Sequence, residues 1–241
     1  MVGPMSEAGH EAEGPPRWET NRVEAFSDGV LAIAITLLVL EIKVDPSEFD
    51  HLGRALLDEW PAYLAYVTSF LTVGSVWIAH HGLFVRLRYI DPVLLRINLF
   101  LLLVAAFLPF PTAVLAEALD SSHDAERTAV AFYGGTAVVI ELLLQAGARY
   151  AASKPGLWIG TPEDAPARLR DRSWRSAAST VGYAVAILAG IFIFPKLAAV
   201  GYLAVAVRGV LVVGGEGRLG LQGLSPSRTG ASQSLGDRRQ P

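Results

Sequence analysis

The segment Arg22-Val-Glu-Ala-Phe-Ser-Asp-Gly29, continued by Val30-Leu-Ala-Ile-Ala-Ile-Thr-Leu-Leu-Val-Leu40, decides how this chain is read. It sets an arginine, a serine and an aspartate at the mouth of an apolar helix. Charge leading into a membrane segment is expensive and by default marks function or a buried network. The apolar run after Gly29 is roughly a dozen residues long, whereas a span needs about 20. Phe26, Ser27 and Asp28 are therefore expected inside the helix and within the thickness of the membrane. Asp28 then needs a protein partner or water, since lipid supplies neither.

The remainder of the chain agrees with a membrane setting. Of 241 residues, 52% are hydrophobic and 18% charged, against about 25% charged in a soluble domain. The deficit of charge is concentrated in long apolar stretches, the pattern of a polytopic, all-α membrane protein. The net charge of −3 decides little, because the distribution of charge matters more than its sum. Cysteine is absent, which excludes disulfides and thiolate metal sites. Residues 1–18 hold no apolar core, so they are read as a disordered arm and not as a cleavable signal peptide.

Six spans are expected within a transmembrane domain covering residues 19–213. The first begins near Arg22, capped by Thr20 or Asn21, and runs to about Lys43, before Asp45-Pro46 stops it. Residues 45–59 form an acidic loop or short surface helix. The second span runs from about Trp60 or Pro61 to Phe84, and the third from Pro92 to about Leu115, where Pro109 and Pro111 should break its last turns. The fourth covers about Thr128–Ala148 with Glu141 inside it. A long polar loop, 149–175, leads to a fifth span near Ala177–Phe194 and a weaker sixth near Leu197–Val213, which carries Arg208, read as snorkelling. Residues 214–241 are Gly-, Ser- and Arg-rich and read as a disordered tail. Lys and Arg crowd one side: Arg86, Arg88, Arg96, Arg149, Lys154, Arg168, Arg170, Arg172 and Arg175. The other side has Lys43, Arg54, Arg127 and Lys196. That bias places both termini in the cytoplasm of a multi-pass protein of the cell membrane.

On a helical wheel Phe26, Ile33, Leu37 and Leu40 share one face, with Asp28 on the opposite one. Spacing leaves two readings of this stripe. It is ordinary packing against a neighbouring helix, or it is an apolar constriction that gates a pore by its width and wetting. Ser27, Asp28, Asn98 and one of His80 and His81 fall on the same side of the membrane and are expected to form one buried network. A metal role for His80-His81 is disfavoured, because adjacent helical side chains point about 100° apart. No nucleophile–base pair or cofactor-binding motif points to an enzyme, and nothing points to nucleic acid. A secondary or proton-coupled transporter using Asp28, His80 and Glu141 stays open as the alternative, as does a non-conducting structural membrane protein.

The string RVEAFSDGVLAIAITLLVLEIKV resembles the signature first helix of the lysosomal potassium channel family, transmembrane protein 175, in its prokaryotic one-repeat form. WIAHHGLF at Trp77–Phe84 and NLFLLLVAAFLPFPTAVLAE at Asn98–Glu117 match in order, and the likeness covers about residues 18–195. The resemblance implies a potassium-permeable channel with six spans per subunit. It also implies assembly as a homotetramer, with the first helix of each subunit lining a central pore. Carried over, the constriction falls on Ile33, Leu37 and Leu40, with Thr36 as a polar contributor to selectivity. Arg22, Phe26, Ser27 and Asp28, with His80, His81 and Asn98, form the structural signature. Potassium is then the permeant ion, and no cofactor is implied. Two features depart from the family: Gly82 stands where a basic residue is frequent, and the last span carries Arg208. The acidic outer loops (Asp45, Glu48, Asp50, Asp58, Glu59, Asp120, Asp124, Glu126) are expected to enrich cations at the outer mouth.

Overall fold

A computed structural model describes residues 18–159, 164–192 and 194–214. The arm and tail expected at 1–17 and 215–241 lie outside the described residues. Trp18, read as part of the arm, instead belongs to a short strand β1 (Trp18–Glu19). Next come α1 (Thr20–Leu37), α2 (Leu52–Asp58), α3 (Trp60–Phe84), β2 (Tyr89–Ile90), α4 (Pro92–Phe107), α5 (Pro109–Ala118), α6 (His123–Ala152), α7 (Asp164–Phe192) and α8 (Pro195–Gly214).

Among the described residues four helical segments are long and apolar enough to cross a membrane: Thr20–Glu41, Trp60–Phe84, Pro92–Ala118 and His123–Ala152. A shorter apolar helix covers Ala178–Phe192. The third crosses as two pieces. Pro109 has no N–H to continue the ladder, so α4 ends at Phe107 and α5 restarts one residue later, with Leu108 buried at the joint.

Several boundaries differ from those read in the sequence. The α-helical part of the first span ends at Leu37, and Leu38–Glu41 tightens into a 3-10 turn, a common way for a helix to end. Neither Thr20 nor Asn21 caps α1: the cap position is Glu19, without a side-chain bond, and the Thr20 hydroxyl donates to the Leu87 carbonyl at 2.9 Å. α6 starts at His123, capped by the Ser122 hydroxyl. The loop expected at 149–175 is short, because α6 continues to Ala152 and α7 begins at Asp164. Hydropathy marks only the apolar part of a helix, and polar helix formers extend these helices past it.

α1 packs on α3 and α4, while α6, α7 and α8 pack on one another and α8 lies along α3. The main core joins Leu31 to Val73, Val76, Leu101, Leu115, Tyr133, Ile140, Tyr183 and Tyr202. A second cluster at the end holding the α1 start joins Val23, Leu83, Phe84, Leu87, Ile90, Leu94 and Leu157. Lipid tails are as apolar as leucine, so close packing and hydrogen bonds hold membrane helices together. Both are present. Ser69 Oγ lies 2.8 Å from Thr112 Oγ1 and 3.1 Å from Tyr133 Oη, Thr72 Oγ1 lies 3.1 Å from Tyr183 Oη, and Tyr202 Oη donates to the Val130 carbonyl at 2.8 Å. A methyl group at Gly134 would strike the Tyr202 hydroxyl and lie 2.5 Å from Ile187 Cγ1.

Gly134→Ala is therefore expected to lower stability by about 1–3 kcal/mol, read as a fall in the melting temperature in detergent. Gly135→Ala, which meets nothing within 4 Å, should leave the melt unchanged or raise it slightly. Equal melts for the two variants would show that the α6–α8 approach is looser than described.

Candidate functional site

The polar residues of the opening segment are brought to one end of the bundle. β1 pairs antiparallel with β2, Trp18 facing Ile90 and Glu19 facing Tyr89. This ribbon and the Thr20–Leu87 bond fix where α1 enters. α1 then runs between α3 and α4, with Val23, Ser27, Leu31 and Ala34 on its buried face, continued by Leu38 in the 3-10 turn.

A chain of bonds crosses three helices there. Ser27 Oγ–H donates to the Val23 carbonyl at 2.8 Å, so the same oxygen must accept, and it does so from Asn98 Nδ2 at 2.9 Å. That turns Asn98 Oδ1 toward His80 Nε2, 2.9 Å away, so His80 Nε2 carries the proton and donates. Ser27, His80 and Asn98 are all buried, and His80 stacks on Phe84 at 3.9 Å between centroids.

Asp28 is not part of this chain, contrary to the network read from the sequence. It sits on the flank of α1 that faces α3, where Trp77 Nε1 donates to Asp28 Oδ1 at 2.9 Å. One turn nearer the start of α1, Glu24 Oε1 lies 2.7 Å from His81 Nδ1. α1 and α3 run antiparallel, so the pairs Glu24–His81 and Asp28–Trp77 are successive rungs, and Trp77 stacks on His81 at 5.9 Å. The sequence reading missed Glu24. Its signal was present: two acids at i and i+4 on one helix, and two ring N–H donors at i and i+4 on another.

The other residues singled out lie elsewhere. Arg22 and Phe26 are exposed. Ile33, Leu37 and Leu40 are 61%, 41% and 62% exposed in the single chain. Thr36 is also exposed, and its hydroxyl proton turns back to the Ile33 carbonyl at 2.9 Å. Glu141 on α6 interacts electrostatically with Arg208 on α8. Arg208, read as snorkelling, has a polar partner within the chain. It is half-buried, and its Nη1 lies 3.4 Å from Ser179 Oγ on α7. Among the described residues no hydrogen bond links Asp28 to His80, or either of them to Glu141. No group of three or more His, Cys, Asp or Glu side chains suited to a metal occurs among the described residues.

The acidic loops at the opposite end are partly neutralised. Lys196 reaches Asp120 at 3.5 Å and the buried Glu126 at 3.8 Å, and Arg54 lies 3.7 Å from Asp58. Asp45 accepts from the hydroxyl and N–H of Ser47 at 2.7 and 2.8 Å. Those two donors hold its carboxyl below the usual carboxylate range.

Comparison with known proteins bears on these same helices. The family model described as the endosomal/lysosomal potassium channel TMEM175 matches residues 22–109, the stretch holding the Ser27–Asn98–His80 chain and both rungs. A Streptomyces collinus protein named as a potassium channel is 42% identical over 188 residues, covering 77% of this chain and 90% of that relative. The chain belongs to the TMEM175 family. A Chamaesiphon minutus potassium channel is 43% identical over 144 residues, covering 58% of this chain and 70% of its own. The solved structure of a lysosomal potassium-selective channel TMEM175 homolog from Chamaesiphon minutus superposes with a TM-score of 0.70. Its identity is 34%, over 80% of this chain and 97% of that one. This is a family of ion channels and not of enzymes, and the chain is a multi-pass membrane protein.

Asn98 serves two partners, so Asn98→Ala should destabilise by about 1–3 kcal/mol by leaving buried polar atoms unpaired. Ser27→Ala combined with Asn98→Ala should cost less than the two singles added, by at least about 0.5 kcal/mol. Strict additivity in detergent melts would mean the two side chains do not share a bond.

Proposed function

We propose that the protein is a potassium-permeable channel: a homotetramer of six-span subunits in the cell membrane, termini cytoplasmic, with α1 of each subunit lining the central pore. The observation that carries this reading is the uncovered apolar stripe on α1. The membrane window of α1 is 28% buried within the chain, against 44–50% for the other three long spans. Its uncovered flank presents Phe26, Ile33, Leu37 and Leu40, while Ser27 and Asp28 hold the helix from behind. α8 has 20 residues and so reaches about 30 Å at about 1.5 Å per residue, enough to cross. Together with Ala178–Phe192 it completes six. The names carried by the Streptomyces and Chamaesiphon relatives support potassium as the permeant ion.

Four copies of Ile33 would make a narrow ring that offers an ion no ligands, so passage costs partial dehydration or dewetting. Thr36 adds something the aliphatic positions cannot. With its proton committed to the Ile33 carbonyl, its oxygen offers lone pairs outward, which suits a cation and disfavours an anion. The carboxylates outside the ion pairs keep the outer end attractive to cations.

The test is potassium flux into liposomes holding purified protein, with Ile33→Asn and Leu37→Ala compared with the parent. Potassium uptake in the parent should exceed sodium uptake. Ile33→Asn should raise flux several-fold and flatten that preference, and Leu37→Ala should have a smaller effect. If neither variant alters flux in protein that melts like the parent, the stripe is packing and a coupled carrier through Asp28, His80 and Glu141 becomes the better reading.

A further inference from the structure

At the end of the bundle where α1 begins, the α3–α4 corner is built as a small platform. Arg88 N donates to the Leu157 carbonyl at 2.8 Å and Ile159 N to the Arg86 carbonyl at 2.9 Å, around an antiparallel bridge between Leu87 and Trp158. Leu87 is buried. Beside it Arg88 is exposed and Arg86 is half-buried. Lys154 enters the same platform, its N–H bonded to the Ala151 carbonyl, to which Trp158 Nε1 also donates at 2.6 Å.

Aromatic rings accompany the charges. Arg88 Cζ lies 5.2 Å from the centroid of Tyr89, and Lys154 Nζ lies 5.9 Å from that of Tyr150. Among the described residues none of these three cations is in an ion pair. The acid in sequence reach, Asp91, is committed elsewhere, accepting from the Leu94 N–H that starts α4 and from the Tyr150 hydroxyl. Glu19 stands across from Tyr89 in the ribbon.

We infer that this platform binds the headgroup of an anionic phospholipid, with Arg86, Arg88 and Lys154 around the phosphate. A soluble anion would use the cations alone. The platform adds Tyr89, Tyr150 and Trp158, with Trp18 and Ile159 exposed beside them. Rings of this kind sit at the headgroup level of membranes, and basic pockets between membrane helices take anionic headgroups. The site is mechanically tied to α1, because Leu87 accepts from Thr20 and β2 pairs with β1. A bound headgroup therefore braces the segment that positions the first helix.

The test reads binding and not conduction, so it stands apart from the channel reading. Purified protein in neutral detergent is melted with added phosphatidylglycerol, phosphatidylcholine or inorganic phosphate, and retained lipid is counted by native mass spectrometry. Phosphatidylglycerol should raise the melting temperature by several degrees beyond phosphatidylcholine. Each cation should contribute roughly fivefold in affinity, so Arg86→Gln with Arg88→Gln and Lys154→Gln should abolish most of the shift. Arg96→Gln, an exposed cation on α4 outside the platform, should retain it. If the triple variant fails to fold, Arg88→Gln alone should still reduce retained lipid. Equal shifts from the two lipids, a full shift in the combined or single platform variants, or an equal loss in Arg96→Gln would overturn the site. A full shift from inorganic phosphate would overturn its assignment to lipid.

Discussion

The hydrogen bond between Asn98 and Ser27 is the contact on which the rest of this arrangement depends. A membrane gives little hydrophobic reason for one apolar helix to prefer a particular face of another, and an interhelical hydrogen bond contributes only about 0.5–2 kcal/mol. Its direction is nevertheless decisive. The Ser27 proton is committed to its own helix, so the serine can only accept, the Asn98 amide can only point one way, and His80 is left to donate. One serine thus sets the roll of α1 against both α3 and α4.

Once that roll is set, the two flanks of α1 acquire different roles. The rungs Glu24–His81 and Asp28–Trp77 line the flank turned to α3. The flank with Ile33, Leu37 and Leu40 is left uncovered by the chain itself. A charge placed close to the membrane segment is tolerable because a ring N–H meets it, and the same pairing keeps it off the apolar stripe. The strand ribbon and the Thr20–Leu87 bond act on the same helix from outside the membrane. Among the described residues the start of α1 is therefore held by polar bonds and its far half by packing.

The other helices follow a different rule. α6, α7 and α8 meet where glycine leaves no side chain. Gly134 lies against Tyr202 and Ile187, Gly182 against Val205, and Gly190 against Val130 and Ala198. Tyr133, Tyr183 and Tyr202 at their centre meet Ser69 and Thr72 of α3 and the Val130 carbonyl, the usual satisfaction of buried hydroxyls. Arg208, an anomaly in a hydropathy profile, is half-buried with its Nη1 3.4 Å from Ser179 Oγ, so the charge in the apolar part of α8 has a polar partner on α7.

Much of this was legible from residue order alone. Hydropathy located the four long spans, the proline pair marked the break before α5, and the RxxxFSD string announced the first helix. The wheel separated Asp28 from the apolar stripe, because angular position on a helix depends only on spacing. Spacing within one helix carries no information about its neighbours. It grouped Asp28 with Ser27, His80 and Asn98, and only the packing of three helices showed that Ser27 and Asp28, one residue apart, face different partners. Glu24, the ribbon at Trp18–Glu19 and the contact of Arg208 with Ser179 belong to the same category. Each is settled by which donor or acceptor lies across a gap between elements distant in sequence, and a one-dimensional pattern does not contain that distance.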